Sequence, residues 1–331
     1  MGATLTVFMP VHNGEGTLAE AVESILGQSY ADFEFLIIDD GSTDKTAALL
    51  RRYAGTDSRL RVLRNPRKRG LAYTFSCGFA AARGAYVARM DADDISEPRR
   101  LERQLGWLKK HPGTAVLGSW VRYFGAKSGL AALPWRHEEI LAQAPFQNPL
   151  AHPTLMLDRE HFPWPPRFER RYQPADDYGL WSHCLQRGVR FAALPEPLLR
   201  YRVHGAQAGA RPEMQAAAAR VRLDWLRFFK LRTTARERSL HLALASGAWD
   251  AVGEGAAEWL VKLRVAGESA GMPPREWGRW LGRVWLSLQA VRGGGHAHES
   301  GLEAWAREGS LTWRLGRVAW QAWYRTAGAL T

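Results

Sequence analysis

The chain predicts an α/β fold: a Rossmann-like, mostly parallel sheet with helices on both faces, followed by an α-helical C-terminal region. Three observations predict it. Up to Met90, short apolar runs alternate with helical stretches in a βαβαβαβ rhythm. The turn Gly41-Ser42-Thr43-Asp44 separates the second run from the helix that follows it. After Arg211 the composition turns to Ala, Arg and Trp, without strand-like alternation.

The elements follow in order. Thr4–Met9 reads as a strand, and Thr17–Gln28 as a helix opened by a capping box, Thr17-x-x-Glu20. Phe33–Ile38 is a second strand and Lys45–Tyr53 the helix after the Gly41 turn. Leu60–Leu63 is a third strand, Leu71–Ala82 a helix stopped near Gly84, and Tyr86–Met90 a fourth strand. From Pro134 the pattern loosens into Pro-rich loops, then a helix over Asp177–Arg187 and a strand near Val189–Ala193. The expected division is an α/β domain over 1–211 and a helical Trp/Arg-rich region over 212–331.

With 331 residues, 46% hydrophobic and 24% charged, the chain is a folded globular protein and not a disordered one. Two cysteines cannot build a disulfide framework and fit a reducing cytoplasm. No stretch resembles a signal peptide or reaches the roughly 18 apolar residues of a membrane span. The net charge of +12 suggests a polyanionic partner: a phosphorylated substrate or an anionic lipid surface. No zinc-finger spacing or RNA-binding aromatic motif supports nucleic acid.

In an open α/β sheet, ligands bind beyond the carboxyl ends of the strands. The informative loops are therefore Pro10–Gly16, Asp39–Asp44 and Asp91–Asp94. Asp91-Ala92-Asp93-Asp94 places three carboxylates at a strand exit, where they repel one another unless a cation or solvent takes up the charge. Hard oxygen donors of this kind suit Mg²⁺ or Mn²⁺ beside substrate phosphates. The plainer reading is an acidic turn before a helix that starts near Pro98. Asp39-Asp40 can accept from a pyrimidine imide, or simply belong to a capping turn. Gly14-x-Gly16-x-x-Ala19 matches a dinucleotide fingerprint, but Pro10-Val11-His12-Asn13 separates it from the strand. A dinucleotide oxidoreductase therefore stays as the least favoured alternative.

Several blocks together carry a resemblance. They are Met9-Pro10-Val11-His12-Asn13, Glu23–Gln28, Phe33–Asp44, Arg89–Leu101, Asn148-Pro149-x-x-His152-Pro153-Thr154, Ala175–Trp181 and Leu194–His204. In order and spacing they resemble the inverting family 2 glycosyltransferases of GT-A fold, over roughly residues 4–205. The resemblance implies a nucleotide-diphospho-sugar donor, UDP-linked by preference, and a saccharide or lipid-linked saccharide acceptor of bacterial surface polysaccharide or lipopolysaccharide. It implies Mn²⁺ or Mg²⁺, and an active site on the cytoplasmic side. Pro10, Val11, Asp39 and Asp40 would hold the nucleoside, with Asn13, Glu15 and Ala92 in the same nucleotide-sugar set. Asp91 would contact ribose or metal, Asp93 and His204 would bind the metal, and Asp94 would be a helix-start or solvent residue. The general base maps to Asp177, with Asp176 the alternative, and His152 is an acceptor-site candidate.

Two positions depart from the family pattern: Phe75-Ser76-Cys77-Gly78, and Ala206-Gln207-Ala208-Gly209 after His204. A non-catalytic nucleotide-sugar or glycan-binding module is the second class of reading. Residues 212–331 hold ten of the fifteen tryptophans. Trp277, Trp280, Leu281, Val284 and Leu288 share one helical face, with Arg275, Arg279 and Arg283 on another. From Gly309 no acid occurs, while Arg314, Arg317 and Arg325 alternate with Trp313, Trp320 and Trp323. Such a pattern suits peripheral attachment to an anionic membrane, or a bundle packed on itself with solvated arginines.

Overall fold

The computed structural model of the chain describes residues 4–204 and 211–291. These divide into two compact units that interleave along the sequence. The first takes residues 4–135, 150–168 and 187–204, and the second takes 136–149, 169–186 and 211–291. A helix begins at Pro212, and the two earlier segments 136–149 and 169–186 join its unit.

The first unit is built on one sheet. Strands β1 (Leu5–Val11), β2 (Phe33–Asp39), β3 (Leu60–Arg64) and β4 (Tyr86–Arg89) pair in parallel in the order β3-β2-β1-β4. Helices α1 (Leu18–Leu26), α2 (Thr46–Thr56) and α3 (Leu71–Ala81) make the crossovers. Strand order reverses around β1, so the loops after β1, β2 and β4 open at the topological switch point. Every residue of β1 is buried, which suits a central strand covered on both faces.

Beyond β4 the sheet is mixed. β5 (Ile95–Ser96), β6 (Val116–Gly125), β7 (Gly129–Ala131), β8 (Met156–Asp158) and β9 (Phe191–Val203) extend the order through β4-β8-β6-β9-β5, with β7 on β6. Only the first residues of β9 are expected from the sequence. Pro195 and Pro197 hide the rest, and the register shifts there as β9 passes Ser119 and Trp120 of β6. β5 and β8 hold two and three residues, too few for a period, and exist through pairing with β9 and with β4 and β6. Helix α4 (Arg100–Lys110) follows Pro98, where a helix start is expected.

The second unit is helical: α5 (His137–Gln143), α6 (Asp176–Gln186), α7 (Pro212–Phe228), α8 (Ala235–Ser246), α9 (Ala256–Ser269) and α10 (Pro274–Val291). Phe146 centres its core, with the rings of His241, Trp277 and Trp280 at 5.0, 6.1 and 6.2 Å. Trp225 is wholly buried and donates its indole N–H to Oγ of Ser182 at 3.0 Å. The predicted apolar face of α10 is buried throughout: Trp277, Trp280, Leu281, Val284 and Leu288. Arg275 and Arg283 are exposed, but Arg279 is half-buried and pairs with Glu276, so the arginine face is only partly solvated. No helix among the described residues is long and apolar enough to cross a membrane. The basic segment from Gly309 and the residues Ala206–Gly209 lie outside the described residues.

Candidate active site

The loops after β1 and β2 are laced to each other by side chain to backbone bonds. Asn13 N–H donates to Ser42 Oγ at 2.9 Å, and Thr43 N–H returns a bond to Asn13 Oδ1 at 2.9 Å. Glu15 N–H donates to Asp44 at 3.1 Å, and Lys45 N–H donates to Glu15 at 3.0 Å. Asn13 holds a positive φ of 52°, which asparagine tolerates better than most residues. Asn13 and Glu15 thus brace the loops after β1 and β2 while remaining exposed. Pro10 and Val11 are buried strand residues and present backbone.

Asp39 is almost fully buried; Oδ1 accepts Ser42 N–H at 2.8 Å, and Oδ2 faces Arg64 Nε at 3.1 Å. Asp40 accepts from Asn65 Nδ2 at 2.7 Å, Arg69 N–H at 2.9 Å and Gly70 N–H at 2.8 Å. Burial works to raise the Asp40 pKa, but these donors outweigh it and hold the carboxyl below its ordinary value. Gly41 closes this turn at φ 68°, where an added β-carbon would collide with the backbone of Arg67 and Lys68. The result is an ionised, rigid acceptor at the end of β2.

The acidic turn after β4 separates its three carboxylates by environment. Asp91 pairs with Arg89, a guanidinium only 2% exposed. Asp93 Oδ2 lies 3.0 Å from Nε2 of His204, and both side chains are over two-fifths exposed. Burial, and then repulsion from Asp91, raise the Asp93 pKa, while His204 lowers it. Asp94 corrects an expectation: it is 1% exposed, neither at a helix start nor in solvent. Its Oδ1 accepts Arg202 N–H at 2.8 Å, and its burial, then Asp91 and Asp93, raise its pKa well above the ordinary value.

The expected capping box at Thr17 is also absent. Thr17 instead donates its hydroxyl to the carbonyl of Ala92 at 3.0 Å, and Glu20 pairs with Arg202 at 2.6 Å. Arg202 Nε donates to the Asp93 carbonyl at 2.8 Å. Both supposed cap residues therefore help hold the acidic turn. Arg89 and Arg202 escape sequence reasoning as site residues, although an arginine inside an apolar strand is itself a signal.

One oxygen from each of Asp91, Asp93 and Asp94 falls within 4.8 Å of the others. With the His204 imidazole beside Asp93, this donor set fits a hard or borderline divalent ion such as Mg²⁺ or Mn²⁺. A second cluster, Asp158, Glu160 and His161, satisfies itself as a turn: Asp158 accepts from Glu160 N–H at 3.0 Å and lies 2.9 Å from His161 Nδ1.

His152 opens a 3₁₀ turn over His152–Thr154 and is 9% exposed, its ring edge-on to Phe75 at 5.1 Å. Burial, with Arg89 nearby, drives its pKa well below 6.5 and keeps it neutral. In the helical unit, Asp176 and Asp177 open α6. Asp177 is half-buried and accepts from Asn148 Nδ2 at 3.0 Å. Asp176 is buried, and that burial, followed by the charge of Asp177, pushes its pKa up to about 7.

The family model for glycosyl transferase family 2 matches residues 6–162, which contain all three loops. The putative glycosyltransferase EpsE of Bacillus subtilis is 35% identical over 207 residues, 61% of this chain and 73% of that protein. The chain belongs to glycosyl transferase family 2. The O-antigen biosynthesis glycosyltransferase WbnJ of Escherichia coli is 30% identical to this glycosyltransferase over 60% of its chain and 80% of WbnJ. Among solved structures, S. aureus TarS in complex with UDP-GlcNAc superposes with TM-score 0.55 at 16% identity, covering 89% of this chain and 84% of that one. Mannosyltransferase PcManGT from Pyrobaculum calidifontis, in complex with GDP-Man and Mn²⁺, gives 0.52 at 19% identity over 100% of this chain and 85% of its own. The enzyme's fold is that of the GT-A glycosyltransferases.

Proposed function

We propose that this family 2 glycosyltransferase moves a sugar, with inversion, from a nucleoside-diphosphate sugar to a saccharide or lipid-linked saccharide of bacterial surface polysaccharide. The observation that carries the reading is the acidic turn at the end of β4, with Asp93 beside His204 at the sheet's switch point. The names of its relatives support the substrate class. WbnJ is assigned to O-antigen biosynthesis. The Escherichia coli enzyme WfaP, 27% identical over 80% of its length, is named for transfer from UDP-Glc to GlcNAc-diphosphoundecaprenol.

Asp40, held ionised, accepts from the donor's base; a UDP-sugar is the favoured donor. Asp91 contacts the ribose, and Asp93 with His204 holds Mn²⁺ or Mg²⁺. When bound, that ion neutralises charge on the diphosphate as it leaves. Asp177 removes the proton from the acceptor hydroxyl. Burial, then the charge of Asp177, pushes the Asp176 pKa up to about 7, which favours Asp177, the half-exposed member, as the base. The basic tail from Gly309, with Arg314, Arg317 and Arg325, attaches the enzyme to an anionic membrane surface.

A panel of UDP-, dTDP- and GDP-sugars with and without Mn²⁺ tests the donor. NMR of the product's anomeric proton tests inversion, and retention of configuration would rule the mechanism out. Undiminished transfer by Asp177→Asn would exclude it as the base.

A further inference from the structure

Arg89 closes β4 with its side chain 3% exposed. A buried guanidinium costs several kcal/mol unless it is paired. Its Nη1 lies against Oδ1 of Asp91, and its carbon centre sits 4.9 Å from the centroid of the Phe75 ring. Among the described residues, Asp91 is the one carboxylate in ion-pair reach of Arg89. Arg100, wholly buried, pairs with no carboxylate among the described residues; it donates to the Arg89 carbonyl at 2.6 Å and to Gln104 at 3.0 Å. That bond pins the end of β4, and with it the backbone from which Asp91 projects. Phe75 limits the guanidinium on its other side.

The neighbouring carboxylates lack this treatment. Asp93 has only His204 as a side-chain partner among the described residues, and Asp94 is held by a backbone N–H of β9. Distance alone does not separate the three as cation ligands, because their oxygens lie within 4.8 Å of one another. Charge does. The guanidinium cation against one oxygen of Asp91 repels a divalent ion there, while the other oxygen of the same carboxylate still accepts a hydroxyl.

We propose that Arg89 is a positioning residue: through its ion pair it withholds Asp91 from the divalent ion and orients it to accept a hydroxyl of the donor. Cation affinity then rests on Asp93 and His204. The inference rests on the donor and cation reading of this turn given above.

The test is Mn²⁺ binding to the full chain without nucleotide, followed by electron paramagnetic resonance, together with KM and kcat for a UDP-sugar. Asp93→Asn should weaken Mn²⁺ about tenfold or more, and Asp91→Asn by no more than about threefold. Arg89→Met frees a carboxylate, so it should bind Mn²⁺ more tightly while donor KM rises about tenfold or more. Arg89→Lys, which keeps the charge, should return Mn²⁺ affinity to the wild-type value. These opposite shifts are what a merely structural arginine does not produce.

Equal loss of Mn²⁺ in Asp91→Asn and Asp93→Asn would overturn the inference, as would parallel loss of metal and donor in Arg89→Met. If Arg89→Met does not fold, the comparison of the two aspartate variants decides by itself. A wild-type protein that binds no Mn²⁺, or an Asp93→Asn variant that binds it fully, removes the cation reading and this inference together.

Discussion

Nε2 of His204 lies 3.0 Å from Oδ2 of Asp93, joining the end of β9 to the acidic turn across 111 positions of sequence. A neutral imidazole and a carboxylate at that separation can share one divalent ion. His204→Ala should therefore lower donor turnover at limiting Mn²⁺ by about tenfold or more, with partial recovery as Mn²⁺ is raised. Turnover measured across a Mn²⁺ series checks this, and a loss independent of metal would exclude the shared-ion role.

Thr17 and Glu20 are spent on the acidic turn instead of on the helix N-terminus. Thr17→Val keeps the shape and removes the bond to the Ala92 carbonyl, so it should cost about 1 kcal/mol of stability. Because helix capping is not involved, Thr17→Ser should behave as wild type in urea titrations. The donor KM of Thr17→Val should rise together with the stability loss.

Gly41 combines a positive φ of 68° with the closest backbone approach in the nucleotide loops: an added β-carbon would lie 2.4 Å from the carbonyl carbon of Arg67. Both strain and collision oppose any side chain there. Gly41→Ala should lose about 2 kcal/mol or more by urea unfolding, and nucleotide binding should weaken with it.

Asp176 makes a pH-dependent prediction. Its folded-state pKa of about 7 lies above the ordinary 3.8, so between those values the folded chain keeps a proton that the unfolded chain has released. Its contribution to stability therefore declines as pH rises from about 4 to 7, then levels off. Asp176→Asn should gain on wild type across that window, reaching on the order of 3 kcal/mol at pH 8. Urea titrations at four pH values measure it; a gap that does not widen with pH would show that Asp176 ionises freely.

The sequence by itself determined the parallel half of the sheet and the three loops of the site. β1 to β4 and α1 to α3 each carry a local period, and local periods survive without tertiary contacts. Asp39-Asp40 and Asp91–Asp94 stand out in sequence as acids at strand exits, and the resemblance to family 2 adds Asp176-Asp177 as base candidates. Only the tertiary structure decided which neighbour each of these acids meets. Asp91, Asp93 and Asp94 are chemically alike in sequence, yet Arg89, His204 and an Arg202 backbone N–H give them three different environments. The strands β5 and β8 and the reassignment of Thr17 have the same origin. Two of those partners arrive from β9 and the residue just after it, more than a hundred residues away, and no local period encodes so distant a hydrogen bond or ion pair.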